Sequence, residues 1–220
     1  GMEYFLPAHQ GRACENILAE TFVKPGNVVP MNFHFTTTKA HIVKRGGSVE
    51  EFVFPEGLDP VSTNPFKGNF DIQRLERFIL DKGVDNIPFV RIGAGTNLIG
   101  GQPLSLDNIL KVSALCKQHG IMTVMDASLL QDNLYFIKTR EAACQHLGIR
   151  EITRKIADAV DILYFSARKL GSAKGGGLCM RDLGLYDRMK ELVPLYEGFL
   201  TYGGMSVREM EAIVVGLTET

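Results

Sequence analysis

The chain has 220 residues, of which 45% are hydrophobic, and this is sufficient to form the core of one sizeable domain spanning residues 1–220. Lys and Arg total 24 against 25 Asp and Glu, so the charge balance predicts no nucleic-acid partner. The apolar runs are of strand length and the first residues lack the features of a signal peptide, which predicts a cytoplasmic protein with no membrane partner. The Gly before Met2 is interpreted as an expression scar.

Short apolar runs alternate with helical patterns along the chain. In chain order these segments are NVVPMNFHF, SVEEFVF, DIQRLERFILDKG, IPFVRIGAG, SLDNILKVSALCKQHG, IMTVMDAS, EITRKIADAV, DILYFSARK and GGGLCM. The alternation is typical of βαβ units, and strands of nearly continuous apolar character are typical of a sheet covered on both faces. We therefore predict an α/β fold in three layers, with a mostly parallel sheet between helices.

One helix has clear end signals. In SLDNILKVSALCKQHG, Ser105 can cap the helix and Gly120 can close it. Its predicted apolar stripe consists of Leu106, Ile109, Leu110, Val112 and Leu115.

The cysteines and histidines do not have the spacing of metal ligands. Cys14, Cys116, Cys144 and Cys179 are scattered without a CxxC pair, which predicts neither a zinc site nor a disulfide framework. We interpret them as reduced thiols, most of them buried. We predict no metal site from the five histidines.

Polar residues directly after the apolar runs are the first candidates for a ligand site. Parallel sheets bind ligands in the crevice beyond the carboxyl ends of their strands. Asn97, Asp126 and Lys169 follow three of the runs, and Phe35 with Thr36 follows a fourth.

Lys169 and Asp126 are more informative together than separately. A lysine in a low-dielectric position can lose its proton and attack an aldehyde. Pyridoxal phosphate needs such a lysine, and it needs a carboxylate beside its pyridine nitrogen. The pair therefore indicates a candidate site for this cofactor, with Lys169 in a buried position.

A phosphate site is the third requirement of that cofactor. Gln10, Gly11 and Arg12 stand at a predicted helix N-terminus, where free amides and a guanidinium suit a dianion. Ser166 and Arg168, on either side of Ala167 before the lysine, can add a hydroxyl and a second cation.

The residues taken singly leave other interpretations open. A lysine at a strand end is often a solvated surface residue, and an aspartate there is often a cap or turn residue. GRAC can be only a helix start, and Phe35 can be a core residue. The glycines of GAGTNLIGGQP do not fit GxGxxG, so a nicotinamide site is not favoured.

Several idiosyncratic stretches distributed over the whole chain point to one family. They are AHQGRACEN, FTTTKAH, FKGNFDIQRLER, NLIGGQPLSLDN, DNLYFIKTREA, GGGLCMRD and EGFLTYGG. With these motifs the chain resembles the aromatic amino-acid β-eliminating lyases, the tyrosine phenol-lyase and tryptophanase family. The resemblance implies the large domain of an aminotransferase-like, fold type I enzyme that uses pyridoxal 5'-phosphate.

The resemblance also implies a role for each matching residue. Lys169 would form the Schiff base with the cofactor, Asp126 would pair with the pyridinium nitrogen, and Thr36 would lie near the substrate side chain. The remaining cofactor-binding positions would be Phe35 stacked on the ring, Asn97 at the ring hydroxyl, Gln10, Gly11, Arg12 and Ser166 at the phosphate, and Arg168 beside the Schiff-base lysine. The implied reaction removes the α-proton of an amino acid, expels its β-substituent and yields pyruvate and ammonia.

Two departures from the family pattern affect this site. Leu129 occupies the position of an arginine that reaches the cofactor ring oxygen in the family, and its loss should weaken activity. Lys174 is an additional cation, and we hypothesise that it replaces the monovalent potassium ion that the family uses. The alternative is a surface lysine in a glycine-rich turn.

A further departure concerns length. The family carries an N-terminal segment and a C-terminal small domain, including the arginine that binds the substrate carboxylate, and these have no counterpart in the sequence. We therefore expect weak or no aromatic amino-acid cleavage unless a partner chain supplies them. The alternative functions are a catalytically degenerate cofactor-binding protein and an interaction module. A homodimer or higher homo-oligomer is expected, because the family places its cofactor at a dimer interface.

Overall fold

A computed structural model describes residues 1–171 and 173–219 and contains a seven-stranded sheet. The strands are β1 (Tyr4–Ala8), β2 (Val28–Met31), β3 (Ser48–Glu51), β4 (Val90–Gly93), β5 (Thr123–Asp126), β6 (Ile162–Ser166) and β7 (Gly176–Met180). Their order across the sheet is β1-β7-β6-β5-β4-β2-β3.

Helices cover both faces of this sheet. They are α1 (Gly11–Phe22), α2 (Thr36–Lys44), α3 (Ile72–Lys82), α4 (Leu106–Gln118), α5 (Leu130–Arg140), α6 (Ile149–Ala159), α7 (Leu183–Lys190), α8 (Leu192–Tyr196) and α9 (Val207–Glu219). One apolar core lies under α3, α4, α5, α6 and α9, and a second lies under α1, α2, α7 and α8. The predicted three-layer architecture is confirmed.

The sheet is parallel except at β7. Strands β3, β2, β4, β5 and β6 run parallel to one another, and β7 is antiparallel to both β6 and β1. The carboxyl ends of β4, β5 and β6 therefore lie along the same edge, where Gly93 pairs with Asp126 and Asp126 pairs with Tyr164. Three of the polar residues predicted from the sequence, Asn97, Asp126 and Lys169, line a cleft at this edge.

The helix with clear end signals forms as predicted, with one exception in its stripe. Ser105 caps α4 by accepting a hydrogen bond from the Asn108 N–H at 3.1 Å, and Gly120 follows with a positive φ of 66°. Four of the five predicted apolar residues are buried. Leu110 is 39% exposed, so its inclusion was wrong, because it lies at the edge of the stripe rather than toward the sheet.

Glycines between β6 and β7 allow an unusually close approach of the backbone. A Cβ at Gly176 would lie 2.4 Å from the Phe165 carbonyl oxygen and 3.0 Å from the Gln10 carbonyl carbon. Gly175 has a positive φ of 125°, which side chains of L-residues rarely allow. The glycine-rich stretch therefore brings β7 against both β6 and the start of α1.

The four cysteines have free thiols, and three of them are buried. Within residues 1–171 and 173–219, no helix combines the length and the apolar character that crossing a membrane requires.

Asn133 on α5 provides a test of this packing. Its fully buried side chain accepts hydrogen bonds from the Gly95 N–H at 3.2 Å and the Leu104 N–H at 2.8 Å, and donates to the Leu104 carbonyl at 2.9 Å. Asn133→Leu keeps the branched shape of the side chain but leaves these backbone groups unpaired, so we expect a loss of about 2–4 kcal/mol in the free energy of unfolding, measured in urea.

The matched control is Asn86→Leu, because Asn86 is exposed and donates one hydrogen bond to the Lys82 carbonyl at 2.9 Å. It should change the free energy of unfolding by less than about 1 kcal/mol. Equal losses in the two variants would contradict the role assigned to Asn133.

Candidate functional site

A narrow cleft opens at the carboxyl ends of β4 and β5, beside the turn after β6. It is lined by four of the residues predicted for the site, namely Phe35, Asn97, Asp126 and Lys169. Leu129, at the position where the sequence departs from the family, also lines it. The cleft has an accessible volume of about 20 Å³.

Lys169 lies across one face of Phe35. Its Nζ is 4.7 Å from the centroid of the Phe35 ring, a cation–π contact. The Lys169 side chain is exposed, so the prediction of a buried, low-dielectric position was wrong. The reason is local, because Lys169 follows the end of β6 in a turn, where its N–H donates to the Ser166 carbonyl at 3.1 Å and its side chain extends beyond the sheet edge.

Asp126 is held at the bottom of the cleft by two partners. Its Oδ1 accepts a hydrogen bond from the Ser128 N–H at 2.9 Å, and its Oδ2 forms an ion pair with Arg91. The side chains of Asp126 and Arg91 are 13% and 4% exposed. Contacts within the protein therefore fix the orientation of the Asp126 carboxylate.

Arg91 continues into a buried hydrogen-bonded chain. Its Nε donates to the Tyr164 phenol oxygen at 3.0 Å, and the Tyr164 hydroxyl donates to Glu15 Oε1 at 3.2 Å. Thr37 and Thr38 of α2 donate their hydroxyl groups to the two oxygens of Glu15. We call Glu15, Tyr164, Arg91 and Asp126 the buried charge chain.

The buried charge chain was not found by sequence reasoning. A signal was available, since Arg91 interrupts the apolar run IPFVRIGAG, and a charged residue there needs a buried partner. Residues in a strand alternate between its two faces, and Arg91, Asp126 and Tyr164 all point toward the α1 side. The pairing of strands, which the sequence does not specify, brings them together.

The pKa values in the buried charge chain follow from burial and mutual charge. Burial raises the pKa of Glu15, the Asp126 charge raises it further, and Arg91 with the two threonine hydroxyls opposes the rise. Burial also raises the pKa of Tyr164. For Arg91, burial alone would lower the pKa, but Tyr164, Asp126 and Glu15 outweigh burial and the net direction is upward.

The residues predicted to bind phosphate form a second group at the start of α1. Gln10 is the N-cap residue, and in the described chain its side chain makes no capping hydrogen bond. A Cβ at Gly11 would lie 2.9 Å from the Cβ of Ser166, so α1 begins in contact with the end of β6. Arg12 is exposed on the first turn.

Two other predicted residues lie outside the cleft lining. Thr36 is the first residue of α2 and its side chain is exposed, and Arg168 is exposed in the turn before Lys169. Their predicted roles stay predictions.

Lys174 also lies outside the cleft lining. Its side chain is 68% exposed, and its Nζ is 3.9 Å from Glu209 of α9. Among the residues that the structure describes, no group of three or more His, Cys, Asp and Glu side chains is arranged to hold a metal ion. The hypothesis that Lys174 replaces a potassium ion stays untested.

Two larger cavities, of about 600 and 780 Å³, lie away from this edge of the sheet. The first lies near the start of β5 and includes Thr123 and Asp161, and the second lies between α5, α6 and the end of α9. We assign the site to the smaller cleft, since it alone of the three contains an amine, a carboxylate and an aromatic ring together at strand ends.

A family model described as beta-eliminating lyase matches residues 1–209 of the chain. The chain belongs to the beta-eliminating lyase family. The family resemblance inferred from the sequence motifs is thereby confirmed.

Relatives within this family include tyrosine phenol-lyases. That of Pasteurella multocida (strain Pm70) is 41% identical over 221 residues, covering 100% of this chain and 48% of the relative. That of Clostridium tetani (strain Massachusetts / E88) is 39% identical over 220 residues, with 100% and 48% coverage. This beta-eliminating lyase family member thus spans about half the length of the curated relatives that it matches.

Solved structures with the same fold include cystalysin from Treponema denticola, which contains a pyridoxal 5'-phosphate cofactor. It superposes with a TM-score of 0.69 at 12% identity and covers 98% of this chain and 50% of cystalysin. A cystathione gamma lyase from Micromonospora echinospora superposes with a TM-score of 0.64 at 15% identity, covering 98% of this chain and 47% of the lyase. The predicted fold class of this family member, fold type I, is confirmed.

The contact between Gly11 and Ser166 can be tested by a double-mutant cycle. Gly11→Ala should lower the free energy of unfolding by about 1–3 kcal/mol, because its Cβ would lie 2.9 Å from Ser166 Cβ and 3.3 Å from Ser166 Cα. The measurement is urea unfolding of the two single variants and the double variant.

Ser166→Gly removes the nearest atom, so the Gly11→Ala change should be less destabilising in that background. Additive effects of the two substitutions would show that α1 does not pack on the end of β6 in this way.

Proposed function

We propose that this chain is the cofactor-binding domain of a pyridoxal-phosphate-dependent β-eliminating lyase that acts on an amino acid. The observation that carries the proposal is the convergence of Lys169, Asp126 and Phe35 on one cleft at the strand ends, in a member of this family. The tyrosine phenol-lyase relatives support tyrosine as the first substrate to examine.

The donor set of the cleft fits the chemistry of pyridoxal phosphate. Lys169 offers a primary amine for the aldehyde, Asp126 offers a carboxylate for a protonated ring nitrogen, and Phe35 offers a flat apolar face. A ring that stacks on the face of Phe35 covered by Lys169 must displace the ammonium group, which is 4.7 Å from the ring centroid. The exposed side chain of Lys169 is free to make this movement.

A phosphate cradle is supported by the start of α1. Gly11 lets the first turn of the helix approach Ser166, and a Cβ there would fill that space. The positive end of the helix dipole, the Ser166 hydroxyl and the Arg12 guanidinium all favour a dianion. We assign phosphate binding to these residues together with Gln10, and Arg168 supplies a further positive charge nearby in sequence.

Bound pyridoxal phosphate supplies an electron sink for the negative charge that develops at the α-carbon of an amino acid. Asp126, whose carboxylate is fixed by Ser128 and Arg91, would hold the ring nitrogen of the cofactor in its protonated state. Lys169 would hold the cofactor through its amine, and the same amine, once the amino group of the substrate has replaced it, would be the group available to move the α-proton. Asn97 lines the cleft, and its amide would bind the ring hydroxyl. Thr36, exposed at the start of α2, would lie near the substrate side chain.

A cofactor-binding protein without turnover is the second candidate. The observation that favours it is Leu129, which lines the cleft with an isobutyl group where the family resemblance implies an arginine. A guanidinium at the ring oxygen makes a charge-assisted hydrogen bond that leucine cannot make.

We also propose that the protein forms a homodimer. Large apolar side chains are exposed between residues 195 and 217, including Leu195 and Phe199 at 68% each and Val214 at 66%. An exposed apolar surface of this kind supports association with a second copy of the protein. The cytoplasmic location stays a prediction.

The cofactor site can be tested by borohydride trapping and peptide mapping after addition of pyridoxal phosphate. We expect the label on Lys169 and its loss in Lys169→Ala. The control is Lys24→Ala, which removes an exposed lysine outside the cleft. This variant should carry the label on Lys169, as the native protein does. Labelling of other lysines in place of Lys169 would contradict the proposed site.

Turnover distinguishes the two candidate functions. Release of pyruvate from tyrosine by protein loaded with pyridoxal phosphate and not treated with borohydride, lost in Lys169→Ala, would support the lyase. Labelling of Lys169 without pyruvate from tyrosine, tryptophan, serine or cysteine derivatives would support the protein without turnover.

A further inference from the structure

The buried charge chain reaches from the cleft to a helix on the face of the sheet. Asp126 is at the end of β5, Arg91 is on β4, Tyr164 is on β6 and Glu15 is on α1. Arg91 and Glu15 are 3% and 6% exposed, so the charges are removed from solvent. A charge buried to this extent is stable only when other charges or hydrogen bonds compensate it.

The direction of the hydrogen bonds in the buried charge chain follows from which groups can donate a proton. A guanidinium can only donate, so the Tyr164 oxygen accepts from Arg91 Nε at 3.0 Å. The Tyr164 O–H is then available to donate to Glu15 Oε1 at 3.2 Å. Thr37 and Thr38 donate to Glu15 as well, so Glu15 acts as an acceptor at both oxygens, as an ionised carboxylate does.

With Glu15 ionised, the buried charge chain carries two negative charges and one positive charge. Arg91 contacts Asp126 directly and Glu15 through the Tyr164 hydroxyl, so the guanidinium is shared between the two carboxylates. A shared guanidinium neutralises Asp126 only in part, and a negative charge is left to stabilise a cation in the cleft. The other titratable groups nearby are Cys14 on α1, whose pKa burial raises, Lys169 over Phe35, and His34, which lines the cleft and is paired with Glu51.

We propose that Glu15, acting through Tyr164 and Arg91, positions Asp126 and determines how strongly the ring nitrogen of bound pyridoxal phosphate holds its proton. The inference rests on the proposed function, because it requires the cofactor to bind at Lys169. Glu15 is a positioning residue, since it does not line the cleft and acts only through other side chains. Without its charge, Arg91 and Asp126 form a neutral pair and the ring nitrogen loses part of its counter-charge.

The test is ¹⁵N NMR of pyridoxal phosphate labelled at the ring nitrogen and bound to the native protein and its variants, recorded as a function of pH. In Glu15→Gln we expect the ring nitrogen to hold its proton about tenfold less strongly, the order of magnitude for removing one charge from a buried cluster. Tyr164→Phe breaks the link between Arg91 and Glu15 and should move the ¹⁵N resonance in the same direction. Glu15→Asp keeps the charge and should return the resonance toward that of the native protein.

The matched control is Ser113→Ala on α4. Its hydroxyl is buried and has no hydrogen-bond partner among the described residues, and it lies outside the cleft, so the ¹⁵N resonance should not change. If the cofactor binds at Lys169 and its ring nitrogen titrates identically in the native protein and in Glu15→Gln, this inference alone is overturned. If Glu15→Gln folds poorly, the same comparison is made between the native protein and Tyr164→Phe. Failure of the native protein to bind the cofactor at Lys169 would overturn the inference and the proposed function together.

Discussion

The ion pair between Arg91 and Asp126 is the interaction on which the arrangement of the site depends. It joins β4 to β5, and Tyr164 and Glu15 extend it to β6 and α1. Removing one member of a buried pair leaves an uncompensated charge, which typically destabilises a protein by about 3–5 kcal/mol. The central strands and the first helix are therefore tied together directly beneath the cleft.

The cleft consequently has one rigid side and one adjustable side. Asp126 is held by both of its carboxylate oxygens, whereas Lys169 is exposed in a turn and contacts Phe35 through a cation–π interaction. An exposed contact of this kind contributes roughly 0.5–1 kcal/mol, so it can be exchanged for a ligand contact at little cost. The carboxylate is preorganised, and the amine is able to move toward a ligand.

Some of this site could be predicted from the sequence, and the reasons are physical. Asn97 and Asp126 were identified because parallel strands end at a common edge, and both line the cleft. The exposure of the Lys169 side chain could not be predicted from the sequence, because it depends on the path of the turn after β6. Arg91 and Tyr164 were overlooked, since each lies in a run whose apolar neighbours predict an ordinary core strand.

The order of residues was sufficient for the α/β class and the family, and it placed Lys169 and Asp126 at one edge of the sheet, because periodicity and motifs are local properties of the chain. It was insufficient for the register of β4, β5 and β6, which brings Arg91, Asp126 and Tyr164 onto the face that Glu15 covers. Those four residues are separated by up to 149 positions, and only packing in three dimensions makes them neighbours. The charge that Asp126 presents to the cleft is accordingly a property of the folded chain, since it depends on partners distant in sequence.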